Sequence, residues 1–294
     1  MLSIIVCSIN ENNFLKFSEN VMDTVGVEFE IIRIDNKIEN ISLSMAYNRG
    51  ASMAKYAYLV FVHEDVKMLT ENWGQNLVAH FKHDTNTGVI GLAGSIYKTR
   101  MFSSWWQSEI NGLEPKRINI IQTFKFGNKA DEHLHVNPLN EVRSRVVALD
   151  GVFMAVEATK WAQFKFDEVV LKGFHGYDLD FSLKIGLHFT NYVVYDILLE
   201  HFSEGHLNPH WISDIIKIHC KFRPHLPLQK SGLISDAGFN DAEKDNLRRA
   251  VNQVAGAPVN KAQLLKLVTR FILAFRLYKP NKIFIKMLLK RMFS

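Results

Sequence analysis

The sequence predicts an α/β fold with a mostly parallel central sheet, and three observations carry that prediction. Short runs rich in Val, Ile, Leu and aromatic residues alternate with segments of helical length through the first hundred residues. A similar alternation resumes near residue 145. Polar residues with chemical capability stand where the apolar runs end, the place where open α/β sheets bind their ligands.

The elements follow in order. IIVCSI (4–9), FEIIRI (29–34), AYLVFV (57–62) and VIGLAG (89–94) have the length and composition of buried strands. Between them, residues 12–25 place Phe14, Phe17, Val21 and Val25 at helical spacing, residues 42–54 are helix-like, and Trp73, Leu77 and Phe81 recur every four residues. Residues 95–145, with Trp105, Trp106 and the His-Leu-His triplet at 133–135, read as an irregular insertion. RVVALDGVFMAVEA (145–158) predicts a strand, or a pair bent at Gly151; a helix opens near Tyr177, and 191–201 reads as a strand. Helices are expected over 209–222 and 240–254, the latter with Asn240 and Glu243 as a capping box.

Composition narrows the function classes. At 294 residues, 47% apolar and 22% charged, the chain is neither disordered nor a disulfide-stapled miniprotein. Its two cysteines, Cys7 and Cys220, offer no zinc spacing and fit a reducing, cytosolic compartment. The uncharged opening segment reads as a first strand, not a signal peptide, and no stretch is long and apolar enough for a membrane span. Net charge is +5, yet residues 261–294 carry nine Lys or Arg and no acid, which leaves 1–260 with 26 basic against 30 acidic residues, a balance of −4.

Four strand ends carry candidate chemistry: Ser8, Asn10 and Glu11; Asp35 and Asn36; His63, Glu64 and Asp65; and Glu200 to Gly205 around His201. Asp35 and Asn36 suit a ribose or base edge, with an Asx turn as the plain alternative. His63, Glu64 and Asp65 offer imidazole and oxygen ligands to a divalent cation, against the alternative of a solvated loop. His201 is a further candidate ligand through neutral imidazole, although a lone His is more often structural. In GFHGYDLD (173–180), Asp178 and Asp180 leave the first turn of a helix on different faces, so one carboxylate can enter a cleft as a general base while the other pairs elsewhere. No G-x-S-x-G, G-x-G-x-x-G or P-loop motif occurs.

IIVCSIN, AYNRGA (46–51), YLVFVHEDV (58–66), ALDGVFMAV (148–156), GFHGYDLDFSL (173–183) and LLEHFSEG (198–205) together resemble the family 2 glycosyltransferases of GT-A fold. Within them the chain is more similar to the glycosyltransferase-like branch named for a streptomycin-biosynthesis protein. The resemblance runs over about residues 2–205 and implies a catalytic domain over 1–222, while charge and spacing make 223–260 a linker and helix and 261–294 a basic helical tail. It implies that Ser8, Asn10, Glu11 and Asp35 line the nucleotide pocket with Asn48 and Gly50 beside it, and that His63 and Glu64 lie on the donor side. His63 stands in place of the first Asp of the family's Asp-x-Asp signature. Asp65 and His201 would hold manganese or magnesium, Asp150, Gly151 and Tyr177 would border the acceptor, and Asp178 would be the base. The implied reaction is inverting transfer of a sugar from a nucleotide-diphosphate donor to an acceptor hydroxyl.

Beyond Leu264, the tail splits at Pro280 into two basic amphipathic stretches of the kind that lie on anionic membrane surfaces. That places the enzyme at the inner face of a membrane, beside a glycan or lipid-linked acceptor, in surface polysaccharide or lipid-linked glycan synthesis; the alternative is a helix packed on the domain. The rival function is a catalytically degenerate nucleotide-sugar or membrane-surface binding module. Nucleic-acid binding is disfavoured because the tail is mostly aliphatic and the rest of the chain net acidic.

Overall fold

The computed structural model describes residues 1–110, 112–124, 130–202 and 209–229, together with isolated positions between 242 and 286. The chain opens with β1 (Leu2–Ser8), α1 (Glu11–Thr24), β2 (Phe29–Asp35), α2 (Leu43–Met53), β3 (Tyr58–Val62), β4 (Val66–Met68), α3 (Trp73–His83) and β5 (Thr87–Gly91). Seven short strands follow: β6 (Ala93–Ser95), β7 (Tyr97–Lys98), β8 (Lys116–Gln122), β9 (Glu132–Val136), β10 (Arg143–Val146), β11 (Ala148–Leu149) and β12 (Phe153–Glu157). Then come α4 (Ala158–Phe164), α5 (Tyr177–Gly186), β13 (Thr190–Val194), β14 (Leu199–His201), α6 (Pro209–Phe222) and β15 (Leu228–Gln229).

The central sheet has seven strands in the order β10-β13-β5-β12-β3-β1-β2. β1 pairs in parallel with β2 and β3, and β5 with β13, whereas β12 runs antiparallel between β3 and β5 and β10 antiparallel to β13. Five strands therefore share one direction. Alternation along β1 and β3 sends Ile5, Leu59 and Phe61 to a face packed with Tyr47, Phe181 and Ile185 of α2 and α5. Ile4, Val6, Val60 and Val62 face Phe17, Val21, Trp73 and Phe81 of α1 and α3. Burial on both faces is why these strands read as continuous apolar runs. Asn10 starts α1 by accepting the Asn13 amide, and Ser42 starts α2 by accepting that of Met45.

A second sheet, in the order β11-β6-β8-β14-β4 with β9 paired to β8, departs from the sequence expectation. Much of it comes from the stretch that reads as irregular, because strands of two to seven residues with mixed exposure leave little periodic trace. The single strand expected over 191–201 is two, one in each sheet. Glu243, expected in a capping box, accepts hydrogen bonds from the Tyr97 hydroxyl and from the amides of Arg100 and Met101. Asn240 lies outside the described residues, as does nearly all of 250–294. Among the described residues no helix is long and apolar enough to cross a membrane.

Candidate functional site

The site forms where the two sheets meet. β3 ends at Val62 in the central sheet, the chain runs through His63, Glu64 and Asp65, and β4 begins in the second sheet. β4 pairs antiparallel with β14 in a register that sets Val66 opposite His201, and the Phe202 amide closes on the Asp65 carbonyl at 2.9 Å. Asp65 and His201, 136 positions apart, are thereby neighbours through backbone pairing alone. The ligand-capable atoms of His63, Asp65 and His201 all lie within 4.8 Å of one another.

Hydrogen bonds hold both imidazoles from the side away from Asp65. The Tyr177 hydroxyl donates to the Gly151 carbonyl at 3.0 Å and also hydrogen-bonds His63 Nε2 at 2.8 Å. His63 Nδ1 lies 3.9 Å from Asp65 Oδ1. On the other side, the Gln122 amide donates to the carbonyls of Thr123 and His201, and its oxygen lies 3.3 Å from His201 Nδ1. His201 Nε2 lies 3.8 Å from the same Asp65 oxygen. Burial and the neighbouring His201 push His63 below the usual histidine range and keep it in the neutral form that binds metals. Two imidazole nitrogens and a carboxylate converging on one point fit a divalent cation.

Asp178 comes from the first turn of α5, which Gly176 launches at φ +79°, a conformation that favours glycine. Burial, and secondly the charge of Asp150, push the Asp178 carboxyl up from 3.8 to about 7, against backbone amides of Leu179, Asp178 and Gly151 that stabilise its ionised form. Asp180 points elsewhere, 1% exposed and paired with Lys184 at 3.1 Å and Lys221 at 2.6 Å. Gly151 is a packing requirement here: a Cβ on it would collide with the Tyr177 hydroxyl and ring and meet Asp178 Cβ at 3.0 Å. Asp150 takes the Trp105 indole N–H on one oxygen and the Val152 amide on the other.

These groups open into a cavity of about 300 Å³. His63, His201, Asp150, Gly151, Tyr177 and Asp178 form its polar wall, while Trp105, Trp106, Trp211, Ile118, Ile120 and Leu134 supply an aromatic and aliphatic one. The tryptophan pair was visible in sequence without an assignable role. Gln122, which orients His201, and Trp211 carried no sequence signal.

Ser8 and Asp35 are paired residues at the carboxyl ends of β1 and β2, and Asn10 and Glu11 follow in the next turn. Asp35 accepts the Lys37 amide in an Asx turn, and Glu11 pairs with Arg33 at 2.6 Å. Glu64 is placed differently from a direct ligand: its carboxylate accepts from the Ser8 hydroxyl at 2.7 Å and from the amides of Ile9 and Asn10 at 3.1 Å, clamping the β1–α1 loop to β3. Asn48 and Gly50 do not line the cavity. The Asn48 side chain holds the Phe166 amide and carbonyl, the Trp161 indole and Glu168, and Gly50 lets α2 press on Ile5. His133 and His135 share the Asn119 side-chain oxygen, and among the described residues they join no metal-type cluster.

The fold and this site have known counterparts. No curated protein matches the chain. Among solved structures, the first 349 residues of S. aureus TarS in complex with UDP superpose with a TM-score of 0.58 at 12% identity, covering 99% of this chain and 88% of that one. The mannosyltransferase PcManGT from Pyrobaculum calidifontis, in complex with GDP-Man and Mn2+, gives 0.51 at 12% identity, with 99% and 84% covered. GalNAc-T7 with UDP, GalNAc and Mn2+ gives 0.52 at 13%; the match covers 92% of this chain, which spans about half the length of that protein, 54%. At such identities the likeness is one of fold, and the fold is that of GT-A glycosyltransferases. The model of the glycosyltransferase-like family matches residues 3–222, a stretch that includes both sheets, the His-Asp-His cluster and Asp178, and the chain belongs to that family.

Proposed function

We propose that the chain transfers a sugar from a nucleoside-diphosphate donor to an acceptor hydroxyl by a single inverting displacement. One observation carries this reading: Asp178, a carboxyl pushed up to about 7, opens into the same cavity as His63 and His201, two members of a His-Asp-His group whose ligand atoms could hold a divalent cation. Ser8, Asn10, Glu11 and Asp35 supply polar groups for the nucleotide at the carboxyl ends of β1 and β2, in a loop that Glu64 keeps in place. His63, Asp65 and His201 would hold manganese or magnesium. The chemistry such a cation supplies when bound is charge compensation on the departing nucleoside diphosphate.

Asp178 takes the proton of the acceptor hydroxyl. The oxygen attacks the anomeric carbon from the face opposite the diphosphate, whose bond to that carbon breaks with the electron pair leaving on the phosphate oxygen. The proton stays on Asp178 until released to solvent. A base with a pKa close to the working pH combines a large ionised fraction with useful basicity. Asp150, Gly151 and Tyr177 border the acceptor, and the faces of Trp105, Trp106 and Trp211 suit the C–H side of a sugar ring.

The context we propose is surface polysaccharide or lipid-linked glycan synthesis at the inner face of a membrane, supported by the nine basic residues and absent acids of 261–294. The test is a panel of UDP-, GDP- and dTDP-sugars assayed for nucleoside diphosphate release with manganese or magnesium, followed by NMR of the product's anomeric centre. Retention of configuration refutes the mechanism; donor binding without turnover makes the chain a binding module.

A further inference from the structure

We propose that Glu243 is a positioning residue for the acceptor wall of the cavity, so that the site extends into residues 242–249. The stretch that the family model matches ends at residue 222. The inference takes the acceptor assignment from the transferase reading and adds a part of the chain, beyond that stretch, that shapes the wall.

Residues 99–107 put Trp105 and Trp106 into the cavity wall and let the Trp105 indole N–H donate to Asp150. No helix or strand holds this loop; two buried charges do. Lys98, fully buried, donates through Nζ to the Ser103 carbonyl at 2.9 Å, to the Ser103 hydroxyl at 2.6 Å and to His219 Nε2 of α6 at 2.9 Å. His219 Nδ1 in turn donates to the Arg100 carbonyl at 3.0 Å. None of the three Lys98 partners is a carboxylate, and a buried ammonium needs a counter-charge. Glu243, 5% exposed, is the acid whose charge acts on it. One Glu243 oxygen accepts from the Tyr97 hydroxyl at 3.0 Å and the Arg100 amide at 2.7 Å, the other from the Met101 amide at 3.2 Å. The carboxylate therefore fixes the start of the loop, and Lys98 fixes it two residues before Trp105. Gln107 closes it by donating to the Ser103 hydroxyl and the Ser104 carbonyl, both at 3.1 Å.

The segment that carries Glu243 also reaches the far end of the loop. Positions 242, 243, 245, 246, 248 and 249 are helical, and Ala242, Glu243 and Asn246 are all buried. At the same helical spacing, the Arg249 guanidinium lies 4.8 Å from the centre of the Trp106 ring, against which Lys116 Nζ stands at 4.5 Å. An apolar residue at 243 would serve for packing alone. A buried carboxylate with three donors specifies one conformation of the loop, and with it the place of both tryptophans and of the Trp105 bond to Asp150.

The experiment uses the full chain labelled with 5-fluorotryptophan, whose five resonances are assigned by single Trp→Phe replacements. Fluorine NMR of Glu243→Ala is expected to shift or broaden the Trp105 and Trp106 signals and to leave that of Trp73, buried among α1 and α3, in place. The same variant is assayed for nucleoside diphosphate release to water and to a panel of octyl glycosides. The donor KM should stay as in wild type, while the increment that the glycoside adds to kcat/KM should fall by about 10- to 100-fold. Glu243→Gln, which keeps an oxygen for the two amides, should recover most of it. Should Glu243→Ala fail to fold, Glu243→Asp, shorter by one methylene, carries the same test. Unmoved Trp105 and Trp106 signals in a folded variant, or a donor KM that rises as much as the glycoside increment falls, overturns the proposal. A wild-type chain that turns over no donor sinks the transferase reading and leaves the fluorine spectra to decide the loop; full donor turnover with unmoved spectra does the reverse.

Discussion

Replacing Asp178 with Asn should remove activity and stabilise the protein, the second effect growing as pH rises from about 4 and complete above about pH 8. The folded chain holds the Asp178 proton up to about pH 7, while an ordinary carboxyl loses it near 3.8. Between those values the unfolded chain binds fewer protons than the folded one, so stability falls as pH rises and the loss is complete above about pH 8. A displacement of roughly three units corresponds to at most about 4 kcal/mol. Asn has no proton to lose and keeps an oxygen to accept the Gly151 amide, so Asp178→Asn should match wild type at pH 4 and exceed it progressively by pH 8. Denaturant midpoints at both pH values measure the gap. Donor turnover by wild type should rise through a midpoint near pH 7 to a plateau above about pH 8, and the variant should lose that limb together with about 10²- to 10⁴-fold in rate. A stability difference of equal size at both pH values would falsify the account of a carboxyl held protonated by burial and Asp150.

Other substitutions separate the parts of the site. Glu64→Ala should release the amides of Ile9 and Asn10 and the Ser8 hydroxyl, raising the donor KM while manganese binding stays unchanged; equal loss of both would place Glu64 in the cation site. Asn48→Ala removes the partner of Trp161 and Phe166 and should cost about 1–3 kcal/mol in denaturant unfolding with kcat retained, so a selective loss of kcat would restore Asn48 to the donor pocket. Lys221→Met leaves Asp180, 1% exposed, with Lys184 as its remaining cation and should destabilise by about 3–5 kcal/mol, an effect that Asp180→Asn in the same chain should largely cancel. Deleting 261–294 should abolish sedimentation with anionic vesicles and spare turnover of soluble donors; a deletion that unfolds the protein favours a tail packed on the domain.

How much of this was legible in the sequence depends on how each contact is encoded. Strands buried on both faces announce themselves, so β1, β2, β3 and β5 and the helices between them were readable to within two or three residues. The second sheet was not, because a strand such as β6 buries three small residues and β9 is half exposed, and neither leaves a period to count. Residues carried on strand ends, such as Asp65 and His201, were found because topology alone makes the ends of strands converge. Gln122 was missed because its role depends on the parallel register of β8 with β14, which no local pattern specifies.

The same distinction explains the two residues whose placement differs most from expectation. Asn48, within α2, and Glu64, just after β3, are polar groups of the kind that signals a ligand, yet Asn48 makes four hydrogen bonds within the protein and Glu64 holds three donors. A buried amide or carboxylate that orders a loop and one that touches a substrate are made of the same atoms, and only the count of satisfied hydrogen bonds tells them apart. By that measure the proposed reactive centre is small. Asp178 keeps a raised pKa despite its backbone amides, and His63 Nδ1 and His201 Nε2 both face Asp65 Oδ1. The surrounding polar residues, Glu64, Gln122, Tyr177 and Gly151 among them, set the directions of those few groups, so substitutions in this outer ring should change cation and donor affinity before they change the fold.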